Sequence, residues 1–156
     1  MLLGLSIAAI ILILDQMSKY VVYDIMLAET NSIAVVPFFN IIKAWNTGVS
    51  FSMFDSHGVW GVLLLSLLSL AIVAFLIHWL YKEKSKFIQT ALGFIIGGAI
   101  GNVIDRVRLG AVFDFLDVYV GVHHWPTFNV ADSFICIGAF MIIFHSLLMK
   151  KQEKAQ

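Results

Sequence analysis

Apolar residues fill four long stretches of the chain, each close to the length of a membrane-crossing helix. The stretches cover about residues 2–22, 59–80, 87–104 and 129–149. A helix rises about 1.5 Å per residue, so about 20 apolar residues cross the roughly 30 Å hydrocarbon layer. Trp60 and Trp79 lie 19 positions apart in the second stretch, which suits one indole at each membrane interface. The pattern predicts a bundle of four transmembrane helices.

Two segments between these stretches have a different pattern, at about residues 23–58 and 105–128. The first contains SIAVVPFFNIIKAWNTGVSFSMF, which is rich in β-branched and aromatic residues and is broken by Pro37 and Gly48. This composition predicts short strands joined by turns, forming a small platform over the bundle. An amphipathic helix lying on the membrane surface is an open alternative for part of this segment. The second segment is interpreted as a loop.

Composition places the chain among membrane proteins. Of its 156 residues, 60% are hydrophobic and only 13% are charged, and the mean hydropathy is +0.92, outside the range of soluble domains. The formal net charge is zero and no basic cluster has interleaved aromatics, so nucleic-acid binding is not expected. The lone Cys136 excludes a disulfide within the chain. The first stretch lacks a basic leader and a cleavage pattern, so it is interpreted as a span rather than a removed signal peptide.

The order of the charges predicts the orientation. Six of the ten basic residues follow the second and fourth stretches, whereas eight of the ten acidic residues lie toward the opposite side of the predicted bundle. Short cytoplasmic loops retain Lys and Arg. Both termini should therefore be cytoplasmic, with segments 23–58 and 105–128 on the outer side. The six basic residues are Lys82, Lys84, Lys86, Lys150, Lys151 and Lys154.

Small residues form a ridge in the third stretch. Gly93, Gly97 and Gly101 recur at every fourth position and so lie along one face of a helix. Such a ridge lets a neighbouring helix approach closely. Its simplest interpretation is packing alone.

Ionisable residues at two helix ends suggest ion pairs. Asp15 and Lys19 are spaced i,i+4 with the acid first, the favourable order for a pair on one face. Asn102, Asp105 and Arg106 share roughly one face at the end of the third stretch. Since Arg106 can bind a carboxylate through two hydrogen bonds, Asp105 is interpreted as architectural rather than catalytic.

Asp114 and Asp132 differ from these acids because neither has a basic residue within four positions. Both lie among aromatic and apolar neighbours, where loss of hydration raises a carboxyl pKa and lets two nearby acids share a proton. Such a pair can combine acid and base catalysis. From the spacing alone, two aspartates in loops are more often solvated surface residues than a catalytic pair.

Other chemistries fit the sequence less well. The histidines show no helical pairing with a nearby Glu, so no metal site is expected. Ser18 and Lys19 are adjacent and point about 100° apart on a helix, which disfavours a nucleophilic pair. A small transporter or proton pathway using the outer acids is an alternative. The central parts of the second and fourth stretches offer few polar groups for such a pathway. The histidines are His57, His78, His123, His124 and His145, of which His123 and His124 are interpreted as loop residues.

Five motifs occur in order along the chain: DQMSK from Asp15, NTGVSF from Asn46, GNVIDR from Gly101, VFDF from Val112 and FNVAD from Phe128. Together, on a four-span chain of this length, they resemble the lipoprotein signal peptidases, the bacterial type II signal peptidases. The resemblance implies four transmembrane helices with a small β-rich cradle and a short helix on the extracytoplasmic side. The expected fold class is thus an all-α membrane protein, a four-helix bundle that carries this small cradle and short helix.

The resemblance also implies an activity and its residues. Members are aspartyl endopeptidases of the bacterial cytoplasmic membrane that remove the signal peptide of a prolipoprotein, just before a cysteine that bears a diacylglyceryl group. The catalytic pair corresponds to Asp114 and Asp132, with no cofactor or metal. Positions that support the site or contact the substrate correspond to Asp15, Lys19, Asn46, Gly48, Asn102, Asp105, Arg106, Asn129 and Ala131.

Further expectations concern the surroundings of this pair. Asn129 lies one turn before Asp132, where it can cap the helix or orient a carboxylate. The substrate's signal helix should bind an apolar groove while its acyl chains stay in membrane lipid, and Phe51, Phe54 and Phe115 are candidates for lining that groove. The cyclic peptide globomycin occupies the substrate site in the family that the chain resembles.

Overall fold

A computed structural model describes the backbone of residues 1–48 and 58–153. Helix α1 spans Leu2–Tyr20 and continues as a π-helical segment, Val21–Met26; α2 spans Gly58–Lys82, α3 Lys86–Leu109 and α4 Val130–Glu153. Each of the four is long and apolar enough to cross a membrane. The predicted four-helix membrane architecture is confirmed.

Helix α3 lies at the centre of the bundle because its glycines admit neighbouring backbones. A Cβ atom added at Gly97 would lie 2.5 Å from the carbonyl oxygen of Ala8 on α1, and one added at Gly93 would lie 2.6 Å from that of Gly4. On another face, a Cβ at Gly98 would lie 2.5 Å from the carbonyl oxygen of Ala131 on α4. The predicted small-residue ridge is therefore confirmed as a packing surface.

Gly110 sets the connection from α3 to the sheet. Its φ is +75° and its N–H donates to the carbonyl of Arg106 at 3.0 Å, the left-handed ending that glycine permits. Helix α3 thus includes Asp105 and Arg106, and the chain enters a strand at Val112. This short connection holds the helix end close to the sheet.

The sheet has four antiparallel strands in chain order: β1 (Ser32–Val36), β2 (Phe39–Asn46), β3 (Val112–Val120) and β4 (His123–His124). The strands predicted in segment 23–58 are confirmed. The loop interpretation of segment 105–128 is wrong, and so is the loop assignment of His123 and His124. Backbone pairing with β2 and burial of Phe113 and Phe115 against Val22 and Leu27 hold β3 in place, contacts that its acid-interrupted pattern does not reveal.

Two further expectations concern the short helix of the cradle and the residues that line the substrate groove. Within residues 1–48 and 58–153, the π-helical segment is continuous with α1, and no separate short helix occurs. Residues 49–57, with Phe51 and Phe54, lie outside the described residues. Phe115 is buried in the apolar cluster behind the sheet, so its assignment to a groove wall is wrong.

Candidate active site

Strand β3 and the start of α4 bring Asp114 and Asp132 to one place. Asn129, just before α4, donates from Nδ2 to Oδ1 of Asp114 at 2.7 Å. The backbone N–H of Asn129 donates to Oδ2 of Asp132 at 3.3 Å. A single buried residue therefore contacts both carboxylates, which the sequence separates by 18 positions.

Asn129 is also the cap of α4. Its Oδ1 accepts a hydrogen bond from the backbone N–H of Asp132 at 2.9 Å, while Oδ2 of Asp132 accepts one from the backbone N–H of Asn129 at 3.3 Å. This is the reciprocal arrangement of a capping box, with an acid three residues after the cap. Capping and carboxylate contact were alternatives in the sequence, and Asn129 has both roles in the structure.

A chain of polar contacts leads from Asp132 to helix α1. Nδ2 of Asn102 donates to Oδ1 of Asp132 at 2.8 Å, and Oδ1 of Asn102 accepts from Nζ of Lys19 at 3.2 Å. Lys19 forms ion pairs with Asp15 at 2.9 Å and with Asp105 at 2.7 Å. The predicted pairing of Asp15 with Lys19 is confirmed, and the second ion pair, between Lys19 and Asp105, joins α1 to α3.

The sequence suggested that Asp105 pairs with Arg106, but in the structure Asp105 pairs with Lys19. Oδ2 of Asp105 is bound by Lys19 at 2.7 Å and also accepts the N–H of Phe113 at 3.2 Å. The two residues are successive on α3 and point about 100° apart, so Asp105 faces α1 while Arg106 lies near Gly48. Nε of Arg106 is buried and has no hydrogen-bond partner within the described residues.

Asp15 and Ala131 connect the ion-pair cluster to α4. Oδ1 of Asp15 accepts the backbone N–H of Ala131 at 3.0 Å. Ala131 is fully buried, and a Cβ at Gly101 would lie only 2.5 Å from Oδ2 of Asp15. Small residues at these two positions therefore allow one carboxylate to reach the start of α4 between two helices.

Asn46 approaches Asp114 from β2. Its Nδ2 donates to Oδ2 of Asp114 at 2.9 Å, and its Oδ1 accepts the N–H of Gly48 at 2.8 Å. Gly48 has a φ of +81°, a conformation that glycine adopts easily. A cavity of about 280 Å³ opens beside this contact and is lined in part by Thr47, Pro126 and Asp114. Asp114 is thus buried yet adjacent to space for a ligand.

Burial dominates the electrostatics of Asp114. It raises the pKa of this carboxyl to about 6, and the negative charge of Asp132 acts in the same direction. Hydrogen bonds from Asn46 and Asn129 partly oppose this rise in pKa. A carboxyl with a pKa near 6 can exchange a proton near neutral pH, as acid–base catalysis requires.

A second polar cluster on the sheet has no counterpart in the sequence-based predictions. Asp117 accepts hydrogen bonds from Nδ2 of Asn40 at 2.9 Å and pairs with Nδ1 of His124 at 2.7 Å. Burial favours a raised pKa for Asp117, but the contacts with His124 and Asn40 outweigh it and lower the pKa. The pairing depends on strand register, so only a correct β3–β4 hairpin would have revealed it.

Comparison with known proteins shows the family of this chain. The model of a family described as signal peptidase (SPase) II matches residues 7–148. A lipoprotein signal peptidase of Aeromonas hydrophila subsp. hydrophila is 41% identical, covering 96% of this chain and 90% of that protein. One of Janthinobacterium sp. is 43% identical, with 94% and 89% covered.

Two solved structures are similar to this chain over most of its length. One, described as a bacterial membrane enzyme structure by the in meso method at 2.3 Å, has a TM-score of 0.79 and 31% identity, with 97% of this chain and 90% of that chain covered. Another, at 1.9 Å, has a TM-score of 0.77 and 32% identity, with 92% of each chain covered. The chain therefore belongs to the signal peptidase II family, the lipoprotein signal peptidases, which are aspartic peptidases of the membrane.

Proposed function

We propose that this chain cleaves prolipoproteins immediately before their diacylglyceryl-modified cysteine, using a water molecule activated by Asp114 and Asp132. The observation that supports this most directly is the bridge through Asn129, which contacts both carboxylates. The raised pKa of Asp114, about 6, adds a group able to hold the shared proton.

In the proposed reaction, one aspartate of the pair is ionised and the other is protonated. The ionised carboxylate removes a proton from water, which attacks the scissile carbonyl carbon. The protonated carboxyl donates a hydrogen bond to the developing oxyanion, and the pair then protonates the leaving amine. The mechanism uses no metal ion, cofactor or covalent intermediate. Because interacting acids titrate as a unit, the proton belongs to the pair.

The surrounding side chains are proposed to position the pair. Lys19 binds Oδ1 of Asn102 and thereby leaves Nδ2 to donate to Asp132. Asn46 and Asn129 hold the two oxygens of Asp114 in the same way. Asp15 and Asp105 fix Lys19. Arg106, Gly48 and Ala131 complete the proposed supporting set.

The substrate is proposed to bind from the membrane. Its apolar signal helix would lie against the bundle, and its acyl chains would remain in lipid. Trp60 is exposed at one end of α2, and Trp79 lies near the other, as expected for interface anchors. With both termini in the cytoplasm, as the basic residues predict, the pair would lie near the outer face. Globomycin-type peptides are proposed inhibitors of the same site.

Replacing either Asp114 or Asp132 by Asn tests the mechanism. Cleavage of a lipid-modified precursor peptide by the purified protein in detergent should fall by at least about 10³-fold, within the range for loss of acid–base catalysis. Asp117→Asn is the matched control, because Asp117 is also buried on β3 but contacts His124 and Asn40 instead.

The control variant should keep most of the activity. Thermal unfolding of all three variants in detergent separates catalytic loss from loss of fold. Near-normal turnover in folded Asp114→Asn or Asp132→Asn protein would exclude the two-aspartate mechanism.

A further inference from the structure

A second cavity, of about 290 Å³, lies between the sheet-side ends of α1 and α3. Its walls include Tyr20, Tyr23 and Asp24 from the first helix, Trp45 from β2, and Arg108 and Leu109 from α3. Neither Asp114 nor Asp132 lines it. We propose that this cavity binds the headgroup of a zwitterionic membrane phospholipid that has a primary ammonium group.

Two opposite charges line the cavity without neutralising each other. Asp24 lies in the π-helical segment and Arg108 in the last turn of α3. Neither forms an ion pair within the described residues. The other charged groups of the wall, Lys19 and Asp105, are bound to each other at 2.7 Å. Asp24 and Arg108 are therefore the charges available to a ligand, and they favour a ligand that carries both a positive and a negative charge.

The chemistry of these groups matches phosphate and ammonium. A guanidinium binds phosphate oxygens through paired hydrogen bonds. A primary ammonium can donate to a carboxylate while standing over an aromatic ring. The ring of Tyr23 already makes a cation–π contact within the protein, since Nζ of Lys43 lies 5.1 Å from its centroid. Trp45 packs edge-on against Tyr23 at 5.6 Å, which adds a second aromatic wall.

The position of the cavity favours a membrane lipid over a free phosphate compound. Tyr20 is 61% exposed and Leu109 is 54% exposed, and both residues belong to membrane-spanning helices. Apolar and aromatic side chains at such helix ends meet the lipid interface. Acyl chains attached to a headgroup in the cavity can lie along the exposed apolar surfaces of α1 and α3.

Native mass spectrometry of the full chain in detergent tests the proposal. The probes are phosphatidylethanolamine, phosphatidylcholine and phosphatidylglycerol with identical acyl chains. Phosphatidylethanolamine should bind about 10-fold more tightly than phosphatidylglycerol, which lacks the cation, and phosphatidylcholine should be intermediate because its quaternary ammonium cannot donate to Asp24. Asp24→Asn should remove most of this preference, whereas Arg108→Gln should weaken the binding of all three lipids, because they share the phosphate.

Glu29→Gln and Lys84→Gln are matched controls, because these charged residues are not among the cavity-lining residues, and they should retain the preference. Equal binding of the three lipids would overturn the proposal, and so would an unchanged preference in Asp24→Asn or unchanged affinities in Arg108→Gln. Soluble phosphoethanolamine should compete only weakly, and competition as strong as that of the lipid would overturn the assignment to a membrane lipid. The measurement is independent of peptidase activity.

Discussion

At the residue scale, the candidate site consists of a few amides that fix carboxylates. The side-chain amides of Asn102 and Asn129 each accept a hydrogen bond through the oxygen and donate one through the nitrogen. The position of one partner therefore fixes the position of the other. Amide groups suit this role because they donate and accept at fixed positions without adding charge. The geometry of Asp132 therefore depends on Lys19, which it does not touch.

Asn102→Asp tests this dependence, because it replaces the donor to Asp132 by an acceptor. Turnover should fall by about 10²-fold or more, within the range that acid–base positioning can supply. The alkaline limb of the pH profile should move to higher pH because the added negative charge favours protonation of the pair. Both quantities come from peptidase kinetics over a range of pH.

Asn40→Asp is the matched control for this change, since Nδ2 of Asn40 donates to Asp117 at 2.9 Å in the same manner. Its pH profile should resemble that of the original protein. An unaltered profile in Asn102→Asp would show that Asn102 does not act on the pair.

The pKa of Asp114 predicts the pH dependence of catalysis. Below about 6 this carboxyl holds its proton, and above it the proton is lost. If the pair needs one shared proton, kcat/KM should decline as the pH rises past this value, and it should also decline in strong acid when both carboxyls are protonated. The measurement is kcat/KM for a lipidated peptide across the pH range. A flat profile would contradict a catalytic pair.

At the scale of elements, α3 organises the molecule. Its glycines receive α1 on one face and α4 on another, so the polar ends of three helices converge beside β3. The sheet contributes Asn46 and Asp114, whose positions are fixed by antiparallel pairing of β2 with β3. The site exists because helix packing and strand register meet at one end of the bundle.

Gly97→Ala tests the packing of α3. Alanine favours helix by about 1 kcal/mol over glycine, yet its Cβ would lie 2.5 Å from the carbonyl oxygen of Ala8. Overpacking of this kind costs about 1–3 kcal/mol, so we expect a lower free energy of unfolding, measured by denaturation in mixed micelles. Val107→Ala, at a residue that is 75% exposed on the same helix, should change stability little. Stabilisation by Gly97→Ala would refute the tight contact.

At the scale of the whole molecule, the chain is a multi-pass membrane protein whose charges predict its orientation. The described Lys82, Lys84 and Lys86 lie at the α2–α3 connection, opposite the sheet. A pH-sensitive fluorescent reporter fused after Gln156 should therefore report the cytoplasmic pH in intact cells. The same reporter inserted at the β1–β2 turn should respond to the external pH. The reverse pattern would place the candidate site on the cytoplasmic side.

Four features could be predicted from the amino-acid pattern: the membrane helices, the strands of segment 23–58, the small-residue face of α3 and the Asp15–Lys19 pair. These features follow from the length of the apolar stretches, the periodicity of apolar residues and the spacing of charges, which involve only residues close together in the sequence. The motif resemblance predicted the family, which the comparisons confirm, and it is the source of the catalytic roles proposed for Asp114 and Asp132.

The contacts between distant side chains could be known only from the folded structure. Asp105 pairs with Lys19 rather than with Arg106. Asp114 lies on a strand, and Asn129 contacts both Asp114 and Asp132. The fold also joins Asp117 to His124 and opens the cavity between Asp24 and Arg108. These contacts link residues distant in sequence, and they depend on helix rotation and strand register, which local patterns do not specify.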